Sequence, residues 1–138
     1  MAKQSGLGDY IAVDDSGGSA RDISNDISSY TIDTPQNLLE ATGIDKSATE
    51  RIVGLNDGTV TLNGYFDSAS NKWHDVFKTR TGTRTVTIAI GGNSSSNPKL
   101  EMEMLVSDTT TERGDDGMIN ATATLLLQSG TTPTWSTV

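Results

Sequence analysis

The chain has 138 residues, 18 acidic against 10 basic for a net charge of −8, and an apolar share of only 33%. That length suits one domain able to bury roughly two-thirds of its unfolded surface, and a net-negative chain is not built to grip phosphates broadly. It contains no cysteine, which excludes disulfides and thiolate metal sites.

The opening "MAKQSGLGDY" lacks the apolar core of a signal peptide, and no run approaches the 18 or so apolar residues of a membrane span. The expectation is a soluble protein made in a cytoplasm, with no membrane partner. Residues 1–8 read as a polar arm. Asp9–Val13 is a short strand closed by the turn "DDSGGS". Ile27–Asp33 alternates Ser29 and Thr31 against Tyr30 and Ile32, a strand pattern. Pro35 marks a break or an edge, after which "QNLLEAT" is a candidate continuation.

Gly43–Asp57 is polar, carries both charge signs and has few strand formers before Ile52. It reads as a long loop, or a loop with one helical turn, and loops of that length are often functional. Gly58–Asp67 is the clearest strand. Val60, Leu62 and Phe66 face one way, Thr59, Thr61, Asn63 and Tyr65 the other, and Gly64 predicts a bulge or a close neighbouring backbone. In Ser70–Arg80 the period changes: Trp73, Val76 and Phe77 fall at helical spacing, with Ser70 as N-cap and Lys78 and Arg80 suited to the C-terminal dipole. Gly82 ends this helix.

"TRTVTIAIGG" follows as a strand with Val86, Ile88 and Ile90 inward. In Lys99–Asp108, Leu100, Met102 and Met104 fall on one parity and Glu101 and Glu103 on the other, the two carboxylates roughly 6.5–7 Å apart along the strand. After the turn "TTERGDDG", the last strand places Ile119, Ala121, Ala123, Leu125 and Leu127 on one face, and Leu126 interrupts the polar one. "GTTPTWSTV" reads as a polar tail around Trp135. The predicted architecture is mainly antiparallel β, about seven or eight strands in a sandwich or partly closed barrel, with one short flanking helix. Uncovered strand edges make self-association an expectation.

Chemistry is sparse. His74 is the single histidine and sits mid-helix, poor material for a metal site. "DDSGG" and "RGDDG" lack the ligand spacing of a calcium loop. No nucleophile elbow or phosphate-cradling glycine motif occurs. Glu101 and Glu103 are spaced near the carboxylates of an inverting glycosidase, but neighbours on one strand stand side by side and do not flank a cleft. Neither an enzyme nor a cofactor is predicted. Lys72, Lys78, Arg80 and Arg84 place four of ten bases within thirteen residues, either a solvated helix face or a patch that meets acids on a neighbouring copy.

The order "MAKQSGLGDYIAV", "DISNDISSYTID", "GLNDGTVTLNGYFD", a "HDVF" helix and "GMINATATLLLQSG" resembles the major tail (tail tube) proteins of long-tailed bacteriophages, in a pattern closer to the flexible, non-contractile type. The resemblance covers nearly the whole chain, and Leu55–Asp67 and the final strand carry most of it. It implies a β-sandwich forming hexameric rings that stack into a tube whose lumen conducts genomic DNA during ejection. It also implies association with a tape measure protein and other tail proteins, and a place in the virion tail after assembly in the host cytoplasm. On this resemblance Gly43–Asp57 is the inter-ring loop, with Asp45, Lys46, Glu50 and Arg51 as its contacts. Glu101, Glu103, Thr122 and Thr124 lie on a lumen or assembly face, and Trp135 anchors the tail on a neighbour. A completion or neck ring of the same fold and a small ligand-binding β-sandwich are the alternatives.

Overall fold

The computed structural model describes residues 5 and 7–138; most of the arm read over residues 1–8 lies outside the described residues. The strands are β1 (Tyr10–Asp14), β2 (Ala20–Asp22), β3 (Ile27–Asp33), β4 (Gln36–Glu40), β5 (Arg51–Asn56) and β6 (Thr59–Tyr65). The helix α1 (Trp73–Phe77) is followed by β7 (Arg84–Ala89), β8 (Pro98–Arg113), β9 (Ile119–Leu127) and β10 (Trp135–Thr137). The main sheet runs β2-β1-β7-β8-β9-β6-β3, antiparallel throughout, with β10 paired to β8. β4 and β5 form a separate two-stranded sheet.

β8 is the axis of the fold. Its Lys99–Met104 stretch pairs with β7, and its Met104–Arg113 stretch pairs with β9. One 16-residue strand therefore passes from one half of the sheet to the other. Ile11, Val13, Val86, Ile88, Leu100 and Met102 from the first half share a buried cluster with Val60, Leu62, Ala121, Ala123 and Leu125 from the second. The two halves thus fold over a common core as a sandwich, and among the described residues β2 and β3 are its unpaired ends. Each fully buried aliphatic side chain here contributes about 1.5–3 kcal/mol relative to exposure.

The alternation of β8 changes phase once. Leu105 pairs with Leu126 and Val106 with Leu125, then a bulge at Ser107 brings Asp108 opposite Thr124. Glu101, Glu103 and Leu105 point outward before the bulge; Asp108, Thr110 and Glu112 do so after it, on the same side of the sheet. The predicted constraint at Gly64 is also present: a Cβ there would stand 2.1 Å from the carbonyl oxygen of Asp26, where β3 itself bulges between Ile27 and Ser29.

Three expectations need correction. The loop expected over Gly43–Asp57 is shorter, because Arg51–Asn56 is strand β5, so a projecting hairpin replaces the long loop. The helix expected over Ser70–Arg80 spans only Trp73–Phe77, with Lys72 at its N-cap position and no side-chain cap. The Trp73 amide instead donates to the buried carboxylate of Asp26 at 3.2 Å, a tertiary contact that local spacing does not encode. The segment read as a polar tail contains a strand: β10 pairs with β8, Trp135 opposite Leu100, and the Val138 amide donates to the Asn97 carbonyl.

Candidate assembly surfaces

The outward face of the sheet is built from hydroxyls, amides and carboxylates in register. Thr87 lies opposite Glu101 and Thr85 opposite Glu103. Thr87 Oγ1 donates to Glu101 Oε2 at 3.2 Å, and the Thr85 hydroxyl donates to the Glu103 carboxylate. Beyond the bulge, one row runs Asp108, Thr124, Thr61, Thr31 and the next Thr110, Thr122, Asn63, Ser29. Thr122 Oγ1 donates to Asn63 Oδ1 at 3.1 Å. The structure therefore brings Glu101, Glu103, Thr122 and Thr124 onto one side of one sheet, joined by Asp108, Glu112 and Asp33. Leu105 and Leu126 form an apolar pair between the two polar fields, exposed by 43% and 42%.

The β4–β5 hairpin leaves the chain between β3 and β6. Its base is tied by the Asp57 amide to the Pro35 carbonyl at 3.1 Å and by Asn56 Nδ2 to Thr132 Oγ1 at 3.1 Å. Leu38 lies opposite Val53 and Leu39 opposite Ile52. Adjacent residues on a strand point to opposite faces, so each face of this ribbon carries one aliphatic pair. All four side chains are about half exposed or more, as is Leu55. At the tip, Thr42 Oγ1 receives the Glu50 amide at 2.8 Å and the Lys46 amide donates to the Gly43 carbonyl at 3.1 Å. That tight turn holds Ile44 wholly in solvent. Asp45, Lys46, Glu50 and Arg51 are exposed around it. The sequence reading singled out these charges but missed the aliphatic pairs; the signal was "NLLE" matched by "RIVGL" across a short polar stretch.

The basic cluster divides. Arg84 is fully buried and does not belong to a surface patch. Its Nη1 donates to the carbonyls of Val76 at 2.6 Å and Asp14 at 3.0 Å. Its Nη2 donates to the carbonyls of Thr79 and, at 3.3 Å, Thr81. These include carbonyls at the end of α1 that have no partner within the helix. Burial lowers the guanidinium pKa, and the carboxylates of Asp15 and Asp14 oppose that shift. Lys72 Nζ donates to the Asp22 carbonyl at 3.3 Å, and Lys78 pairs with Asp75 at 3.2 Å. Arg80 is exposed and makes no ion pair among the described residues. Trp135 keeps 46% exposure on its edge strand.

Two acid contacts, one half-buried and one at the buried Asp26, escaped the sequence reading. The Tyr30 hydroxyl donates to Asp9, whose other oxygen receives the Gly91 amide at 2.7 Å. Burial first, then that carboxylate, pushes the Tyr30 phenol up to about 12. Asp26 lies against Asp67, and burial followed by this neighbour raises its pKa. Among the described residues no three acids or histidines are grouped to hold a metal ion.

No family model matches the sequence, and no curated protein matches it. Solved structures do. A chain in the tail of an empty gene transfer agent particle, refined with helical and C6 symmetry, superposes with a TM-score of 0.68 over 99% of both chains at 13% identity. The chain shares the fold of that chain over its whole length. A chain of the native gene transfer agent virion matches at a TM-score of 0.67, again over 99% of both chains, at 12% identity. Such identity speaks for the fold alone, which is shared from end to end.

Proposed function

We propose that the protein is a structural, non-catalytic subunit of a viral tail tube. The observation that carries this is the end-to-end match to a chain from a tail with C6 symmetry. Copies associate into sixfold rings, rings stack into a tube, and the lumen passes DNA during ejection. Assembly takes place in the bacterial cytoplasm with the tape measure and other tail proteins, and the product resides in the virion tail.

Three features of the monomer support this reading. The main sheet has two unpaired ends, which neighbouring copies would extend, removing an aggregation liability. The hairpin exposes aliphatic residues on both faces, an arrangement that suits a ribbon held between other copies and not one lying on its own domain. The outward face combines Glu101, Glu103 and Asp108 with Thr122 and Thr124. As a lumen wall it repels phosphate and offers neutral hydroxyls that form no lasting ion pair. Open stacking is the expected product of a heterologous contact that does not close.

Negative-stain microscopy of concentrated purified protein tests the proposal, and hollow tubes are the expected result. Single rings that never stack would favour a completion or neck ring. A protein that stays monomeric alone and with its initiator complex would overturn the tube reading.

A further inference from the structure

The hairpin and the helix stand at opposite ends of the same strand. β6 has seven residues and spans about 20 Å. The hairpin enters it at Thr59 through Asn56–Gly58, and Phe66 and α1 follow at its Tyr65 end. Between α1 and the far part of β8 lies a hollow of about 240 Å³ lined by Phe66, His74, Phe77, Lys78, Arg80 and Thr111. Its floor is aromatic, with the Phe66 and His74 rings 5.0 Å apart, and its rim carries Arg80, which has no ion pair among the described residues. The tip at the other end offers what such a hollow takes: Ile44, fully exposed at the corner of a fixed turn, and Asp45 beside it.

We propose that the tip of one copy docks in this hollow of the next copy along the stack, Ile44 entering against Phe66 and Phe77 and Asp45 meeting Arg80. The proposal rests on the tube reading and names the surface that receives the hairpin. Head-to-tail stacking brings opposite ends of neighbouring copies together, so the donor must come from the hairpin end. The acidic turn with Asp115 and Asp116 is excluded on that ground. It joins β8 to β9 beside Ile119, whose carbonyl receives the Phe66 amide at 3.2 Å, and so lies at the hollow's own end. Charge complementarity agrees, since Lys78 already has Asp75 and Arg80 is left for an incoming carboxylate.

Because the chain has no cysteine, Ile44→Cys with Thr111→Cys introduces the only thiols. Mild oxidation of assembled protein is expected to give a ladder of linked copies on a non-reducing gel, since each copy carries both a donor and an acceptor. In a second arm, Asp45→Arg or Arg80→Asp alone is expected to raise the critical concentration for tubes on the order of 10-fold, about 1.4 kcal/mol, and the paired exchange to restore it. Normal tubes with no ladder, with dimers only, or with no rescue by the exchange would overturn the docking and leave the tube reading intact. Wild-type protein that forms no tubes would overturn both.

Discussion

Replacing Arg84 by alanine removes the donors for four backbone carbonyls and empties a fully buried site. The carbonyls belong to Asp14 at the end of β1, Val76 in α1, and Thr79 and Thr81 between α1 and β7. A hydrogen bond from a charged group contributes about 1.5–3 kcal/mol. Four such bonds are not additive, because water and relaxation serve part of the gap, so the expected loss for Arg84→Ala is about 3–5 kcal/mol. At this chain length that corresponds to a melting temperature lower by about 10–15 °C. Urea unfolding of unassembled protein, followed by far-ultraviolet circular dichroism, measures it. Arg84→Met separates the two causes. It fills much of the volume but leaves the carbonyls without donors, so it should recover less than half of the loss. Apolar replacement of a buried charge is often neutral only when its partners are replaced as well, and here the carbonyls remain. A methionine variant as stable as wild type would therefore show that the guanidinium fills space and does not hold the segment after α1 to β1.

Gly64→Ala should cost about 2–3 kcal/mol or prevent folding, because the added carbon meets the Asp26 backbone and not a movable side chain; a variant melting within a degree or two of wild type would refute this. Asp26 has a raised folded-state pKa caused by burial and then by Asp67, with the Trp73 amide and Lys72 opposing. Its contribution is full below the ordinary carboxylate pKa and is lost as pH rises through the folded value. Asp26→Asn, which retains an acceptor for Trp73, should therefore gain stability relative to wild type between pH 3 and pH 7, and a difference that is flat or falls with pH would contradict the sign. Glu101→Lys with Glu103→Lys should leave the monomer folded but make tubes retain DNA at low salt and release it near 0.5 M, as counterion release requires. Equal retention by wild type and variant in co-sedimentation would remove the lumen role of that face.

Much of the scaffold was legible because period-2 patterns dictate which side of a strand is buried. Met102 and Met104 lie in the core and Glu101 faces outward, as their parity requires. Gly64 announced the close backbone approach by being the only side chain small enough. What escaped depended on partners distant in sequence. Arg84 reads as one more base after a helix until β1 and α1 surround it. α1 begins at Trp73 because Asp26, 47 residues earlier, receives its amide. β10 has a polar sequence and becomes a strand only because β8 offers an edge. β5 was hidden because its aliphatic residues find no core in the monomer, so they show neither an amphipathic strand pattern nor a buried run. The charges at the tip were visible, while the apolar pairs that give the ribbon its two exposed aliphatic faces were not.

The bulge at Ser107 has a consequence for how β8 tolerates change. The strand carries two messages in antiphase, and a single serine keeps them in step. Deleting it would join Val106 directly to Asp108 opposite Leu125 and Thr124, giving a regular ladder that keeps Asp108 and Glu112 outside and Thr109 and Thr111 inside. A one-residue deletion at any other point of the strand would invert part of the wall, whereas removing two would restore its sense. Length variation along this strand is therefore expected in even steps, and Ser107 is the place where an odd one is absorbed.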